Sequence, residues 1–173
     1  MKKSMVVYWS QTGNTEAMAK AIGEGLKSTC EDSCVKTVSE VSASDLKDLE
    51  GFALGCPAMG DEVLEETEFE PFIEEVEQFV GGKKIVIFGS YGWGDGQWMR
   101  DWKDRMEAAG AQIIGGEGLM INDAPDDAGL ETCKELGANL GLAYSSNKIS
   151  NHIKFNLEKS PVLQAMFLCF LFF

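Results

Sequence analysis

The chain has 173 residues, enough for one domain with a sizeable core, and its 25% charged and 45% apolar residues exclude a disordered chain. A net charge of −13 turns the main domain away from nucleic acid and from anionic membrane surfaces, and towards basic protein partners. Five scattered cysteines (Cys30, Cys34, Cys56, Cys133, Cys169) fit reduced thiols, and with His152 as the single histidine neither a zinc site nor Ser-His-Asp or Cys-His chemistry is expected.

Met1-Lys2-Lys3-Ser4 leads directly into a strand-like run rather than a secretory signal, so a cytoplasmic protein is expected. That run, Met5-Val6-Val7-Tyr8, passes into Trp9-Ser10-Gln11-Thr12-Gly13-Asn14-Thr15. From Thr15 to about Ser28, Ala17, Met18, Ala21, Ile22 and Gly25 share one face of a helix. Strand, hydroxyl-rich turn and helix form a βα unit whose loop suits a phosphate. Ser10, Thr12 and Thr15 offer hydroxyls, Asn14 an amide, and Gly13 lets backbone N–H groups converge. The helix N-terminus adds partial positive charge. No lysine follows the glycine, and no Lys or Arg lies between Lys3 and Lys20. The loop is therefore neither a nucleotide-hydrolase P-loop nor G-x-G-x-x-G, and a triphosphate with Mg²⁺ is not its ligand.

Val35 to Val41 alternates as a less buried strand, and Ser42-Ala43-Ser44-Asp45 can cap a short helix through Leu49. Gly51 to Cys56 is a second buried strand, stopped by Pro57. The loop Ala58-Met59-Gly60-Asp61-Glu62 opens an acidic run, with nine acids and no base from Asp61 to Glu77. Pro71 suits the first turn of a helix carrying Phe72, Ile73, Val76, Phe79 and Val80, ended by Gly81-Gly82. Lys84 to Ser90, with the run Ile85-Val86-Ile87-Phe88, is a third continuous apolar strand, of the kind covered on both faces. Tyr91-Gly92-Trp93-Gly94-Asp95-Gly96 follows it. A helix from about Gln97 to Ala109 turns Trp98, Trp102 and Met106 inward. Ala111 to Ile121 supplies a last strand, interrupted at Gly115-Gly116-Glu117-Gly118, and Asn122 to Asp126 caps a final helix with Leu130, Cys133, Leu136, Leu140 and Ala143. Five strands alternating with helices predict an α/β fold, an open, doubly wound parallel sheet. Three loops of unusual composition all follow strands.

Together those loops resemble the flavodoxin family. Ser10 to Thr15 is similar to its phosphate loop; Gly55 to Glu62 and Gly89 to Gly96 are similar to its two isoalloxazine loops. The likeness covers about residues 4–143. About eleven residues separate Gly110 from Asn122, which leaves no space for the insertion of the long-chain subclass, so the short-chain type, as in clostridium-like anaerobes, is implied. The resemblance implies a flavodoxin-like five-stranded sheet of order 2-1-3-4-5, tightly bound FMN and low-potential one-electron transfer without catalysis on a substrate. It implies that Ser10, Gln11, Thr12, Gly13, Asn14 and Thr15 bind the phosphate. The resemblance also implies that Met59 lies against the inner flavin face and Trp93 on the outer one. It further implies that Glu62 accepts a hydrogen bond from flavin N3–H and that the Met59-Gly60-Asp61 backbone meets N5. Pro57 and Ala58 complete the first ring loop. Ser90 and its neighbours Tyr91, Gly92, Gly94, Asp95 and Gly96 approach the ring's polar edge.

The acids and the absence of nearby cations disfavour an anionic reduced ring. One carboxylate about 13 Å away contributes roughly 0.6 kcal/mol at an effective dielectric near 40. The implied partners are redox proteins with basic surfaces that dock on the acidic face, and the domain is expected to be a monomer. Alternative functions are a flavin-dependent quinone or nitro-compound reductase on the same fold, and a binding module that has lost its flavin. Trp9, Trp98 and Trp102 are assigned to the core.

Tyr144 to Phe173 departs from the pattern, with charge +2 against −15 for residues 1–143 and a nearly all-apolar end from Pro161. Three readings of this tail are open: a non-native or out-of-frame extension, packing on the domain or a partner, and interfacial membrane attachment. The expected domain limits are 1–143, with 144–173 as an atypical tail.

Overall fold

In the computed structural model, residues 3–159 are described, with side chains through Ala143. The strands are β1 (Lys3–Tyr8), β2 (Asp32–Thr37), β3 (Gly51–Gly55), β4 (Lys84–Tyr91), β5 (Gln112–Ile113) and β6 (Leu119–Asn122). The helices are α1 (Asn14–Thr29), α2 (Phe69–Glu77), α3 (Gln97–Ala108) and α4 (Asp127–Lys159). All pairings between these strands are parallel, in the order β2-β1-β3-β4-β5, with β6 also on β4. The predicted sheet order is therefore the observed one.

The last strand is split, and the register shows how. Lys84 and Ile85 pair with Gln112 and Ile113, but Phe88 pairs with Leu119, so three extra residues are looped out between the two segments. Val38–Glu40 forms a 3-10 turn instead of prolonging β2, because Thr37 and Glu40 close a capping box. Ser42 and Asp45 close another at the turn Ala43–Leu46. The helix α2 starts two residues before Pro71, and Phe79 and Val80 lie beyond its end.

The apolar runs serve two layers because successive side chains point to opposite faces. Val6, Ala53, Val86 and Phe88 pack with Met18, Ile22 and Leu26 of α1 and with Cys133, Leu136 and Leu140 of α4. Met5, Val7, Phe52, Leu54, Ile85 and Ile87 pack on the other face with Phe69 and Ile73 of α2 and Trp98, Trp102 and Met106 of α3. Helices α1 and α4 meet backbone to backbone. A Cβ on Gly25 would lie 1.8 Å from the Lys134 carbonyl oxygen, and one on Gly137 would lie 2.0 Å from that of Ile22. Trp98 and Trp102 are core residues as predicted; Trp9 is only partly buried, packed against the core, with Nε1 donating to Glu68 Oε2 at 2.9 Å.

The helix α4 continues past Ala143 to Lys159. The apolar end of the tail lies outside the described residues. Among the described residues, no helix is long and apolar enough to cross a membrane.

Candidate cofactor site

The carboxyl ends of β1, β3, β4 and β6 converge on a cleft of about 220 Å³, lined by Gln11, Thr12, Asn14, Pro57, Ala58, Met59, Ser90, Tyr91, Gly92 and Asp123. Its first wall is the loop from β1 into α1. Gly13 is the N-cap of α1 with φ +92°, a left-handed conformation that glycine adopts without strain. As the N-cap, Gly13 has no side chain to bond the first N–H groups of this helix, which lack intrahelical acceptors. Gly13 N–H donates to Ser10 Oγ at 3.2 Å, which holds the loop in place. Thr15 lies behind the lining rather than in it, buried against Ser90.

The second loop leaves β3 through Cys56, whose N–H donates to the Phe88 carbonyl at 3.0 Å; Ala58 N–H likewise donates to Ser90 O at 3.0 Å. Met59 and Val63 then pair in both directions at 2.9 Å, which makes Gly60-Asp61-Glu62 the tip of a hairpin. Glu62 holds φ +55°, and its Oε1 accepts the N–H groups of Gly96 and Gln97 at 2.9 and 3.0 Å. One oxygen of the predicted ring ligand is thus engaged at the N-terminus of α3. Below the hairpin, Glu65 is buried. Its carboxylate accepts from Thr67 N–H at 2.9 Å, from the Thr67 hydroxyl, and from the N–H groups of Glu68 and Phe69 at 2.8 and 2.9 Å. Burial pushes its pKa up, but the Thr67 hydroxyl and these backbone donors outweigh that and bring it down to about 2. Glu65 N–H donates to Cys56 Sγ at 3.3 Å, and burial raises the pKa of that thiol.

The third loop leaves β4. Trp93 is 63% exposed at its tip, and Asp95 binds Arg100, with Oδ1 2.7 Å from Nη2. A cation therefore does stand beside this loop, contrary to expectation, but it is paired with a carboxylate. Gly94 and Gly96, both with positive φ, complete the turn into α3. The residues that line the cleft come from each of the three predicted loops. Ser10, Gly13, Thr15, Gly60, Asp61, Glu62, Trp93, Gly94, Asp95 and Gly96 belong to the same loops but are not among the lining residues.

Asp123 is the lining residue that the sequence reading missed. It holds φ +54°, and its N–H donates to Tyr91 O at 2.8 Å. The sequence places Asn122 and Asp123 in a helix cap, but the capping is done by Asp126, whose Oδ1 accepts Gly129 N–H at 2.8 Å. The signal available was position: like the other three loops, this one follows a strand at the carboxyl edge.

The acidic run also divides by task. Glu62 and Glu65 accept backbone N–H groups, and Glu70 and Glu77 pair with Arg105 of α3. Asp61, Glu66, Glu68, Glu74 and Glu75 remain exposed.

A parallel sheet of order 2-1-3-4-5, with its crevice at the carboxyl ends beside the β1/β3 switch point, defines the flavodoxin-like class of doubly wound proteins. The family model for flavodoxin matches residues 6–137. Over 132 residues the chain is 48% identical to a flavodoxin of Clostridium beijerinckii, covering 76% of this chain and 94% of that protein. Over 132 residues it is 45% identical to a flavodoxin of Megasphaera elsdenii, covering 76% and 93%. The solution structure of the two-electron reduced Megasphaera elsdenii flavodoxin superposes with a TM-score of 0.71 at 42% identity, over 80% of this chain and 98% of that one. The chain belongs to the flavodoxin family, in its short-chain type; its cofactor is FMN and its function is electron carriage.

Proposed function

We propose that the chain is a low-potential, one-electron carrier that holds FMN across the three loops and performs no catalysis on a substrate. The observation that carries this reading is the uncapped N-terminus of α1 opening into the same cleft as Met59, Tyr91 and Gly92, with no cationic side chain among the lining residues. A phosphate fits the loop from Ser10 to Thr15, where free N–H groups and neutral donors meet an anion. Pro57, Ala58 and Met59 suit the inner ring face, and exposed Trp93 suits the outer one. The Glu62 oxygen that α3 leaves free is the acceptor assigned to ring N3–H. Gly60 and Asp61 at the hairpin tip, and Ser90 to Gly96 on the other side, supply the backbone that borders the ring. When bound, FMN supplies the redox chemistry, while these residues bind it, orient it and exclude water from one ring face.

The exposed acids Asp61, Glu66, Glu68, Glu74 and Glu75 favour a basic redox protein as the docking partner and disfavour a second negative charge on the ring. Residues 1–143 are the working domain, a cytoplasmic monomer. The test is an anaerobic reductive titration of the FMN-loaded protein followed by visible spectra, beside calorimetric titration of apoprotein with FMN and FAD. Two separate one-electron steps and a clear preference for FMN are expected. A single two-electron step, or FAD bound as tightly as FMN, refutes the reading.

A further inference from the structure

Two hydroxyls connect the ends of the cleft from behind. Thr15 Oγ1 and Ser90 Oγ are 3.1 Å apart, and Ser90 N–H also donates to Thr15 Oγ1 at 3.3 Å. Both residues are buried, 1% and 5% exposed. Thr15 is the second residue of α1, at its open N-terminus, whereas Ser90 lies near the end of β4 and lines the cleft beside Tyr91 and Gly92. They are 75 residues apart in sequence, and the contact joins the phosphate loop to a ring loop.

A hydroxyl has one proton to donate and two lone pairs to accept with. Ser90 N–H occupies one lone pair of Thr15, so the pair has two arrangements of its own protons. In one, Thr15 donates to Ser90, and the Ser90 proton is free to turn towards the cleft. In the other, Ser90 donates to Thr15, the Thr15 proton turns towards the N-terminus of α1, and Ser90 shows the cleft only a lone pair. A hydrogen bond to an anion is about twice as strong as one between neutral groups, so an anion on the loop selects the second arrangement.

We propose that Thr15 and Ser90 form a hydrogen-bond relay in which phosphate occupancy reverses the polarity that Ser90 presents to the ring end of the cleft, with Ser90 acting as a positioning residue. The inference rests on the reading that residues 10–15 hold the phosphate. Ser90 is then a competitor for the Thr15 proton. Without the Ser90 hydroxyl, that buried proton has no acceptor until phosphate supplies one, and an unmet buried donor is more unfavourable than the loss of a neighbour's polarisation.

The experiment compares FMN with riboflavin, which lacks only the phosphate, in wild type, Ser90→Ala and Thr15→Ser, using flavin-fluorescence titration of the apoproteins and urea unfolding to verify that each is folded. The quantity read is the ratio of the riboflavin Kd to the FMN Kd. Ser90→Ala is expected to raise this ratio by about fivefold or more, and Thr15→Ser, which keeps the hydroxyl, is expected to leave it near wild type. A ratio unchanged in Ser90→Ala overturns the relay, because a merely structural role weakens both ligands alike. A ratio that falls also overturns it, since Ser90 would then touch the phosphate itself. Equal affinities for the two ligands in wild type would refute the phosphate assignment instead.

Discussion

Glu62 Oε1 accepts the N–H groups of Gly96 and Gln97 at 2.9 and 3.0 Å, so a residue of one cleft loop caps the helix that leaves another. The helix α3 has no side-chain cap of its own, because Gly96 is its N-cap. Loss of a cap costs about 0.5–2 kcal/mol. Glu62→Ala is expected to lower apoprotein stability by about 1 kcal/mol in urea unfolding. Glu62→Gln, which keeps an acceptor oxygen, is expected to lose less than half of that. Equal losses would mean that charge rather than the hydrogen bonds holds the two loops together.

Glu65 makes a pH prediction. Its carboxylate, with a pKa near 2 in the folded protein, titrates near 4.3 when unfolded. A depressed folded pKa stabilises above the unfolded value, and the contribution is lost as pH falls through the folded one. The stability of Glu65→Gln should therefore lie below wild type by about 1–3 kcal/mol at pH 7. The gap should narrow from about pH 4.5 downwards and close near pH 2. Parallel denaturant curves at five or six pH values measure it; a gap independent of pH would assign Glu65 a packing role only.

These two acids mark the limit of what the chain discloses before folding. Strands β1, β3 and β4 were legible because both their faces are covered, which leaves unbroken apolar runs such as Ile85 to Phe88. Gly115 to Gly118 announced the break in the last strand. A charge run, by contrast, reveals its sign but not its partners. Glu70 and Glu77 meet Arg105 from 35 and 28 residues away, and only the packing of α2 beside α3 creates those pairs. Asp123 escaped for a related reason: a polar residue before a helix reads as a cap, and its place in a cleft depends on the sheet edge. The contact of Thr15 with Ser90 was not legible either, because the two hydroxyls meet across 75 residues of sequence.

Gly137 provides a test of the helix pair. In most helix interiors Gly→Ala stabilises by roughly 0.5–1 kcal/mol. Here the new Cβ would lie 2.0 Å from the Ile22 carbonyl oxygen and 2.9 Å from Leu26 N, both backbone atoms that cannot turn aside. Gly137→Ala is expected to destabilise by about 2–3 kcal/mol, since α1 and α4 must separate. The thermal midpoint reads this directly. FMN affinity of the folded protein should change little if the displacement stays on the far side of α1 from the cleft.

The final prediction concerns where the working domain ends. The helix α4 runs without interruption from Asp127 to Lys159, so backbone structure alone draws no boundary at Ala143. Among the described side chains of α4, Cys133, Leu136 and Leu140 are buried against α1 and the sheet, and Gly137 and Gly141 pack on α1 beside them. At the same level, Lys84 Nζ donates to the Ala143 carbonyl oxygen and fixes the helix to the start of β4. The family match ends earlier still, at residue 137. A chain stopped after Ala143 keeps every one of these contacts. It is expected to unfold within about 0.5 kcal/mol of the full chain, in the range of surface changes remote from a core. Its FMN affinity should stay within about twofold, because every lining residue of the cleft precedes Pro125. Should the shortened protein fail to fold or lose FMN, residues beyond 143 would belong to the core, and the limit would move to the end of α4.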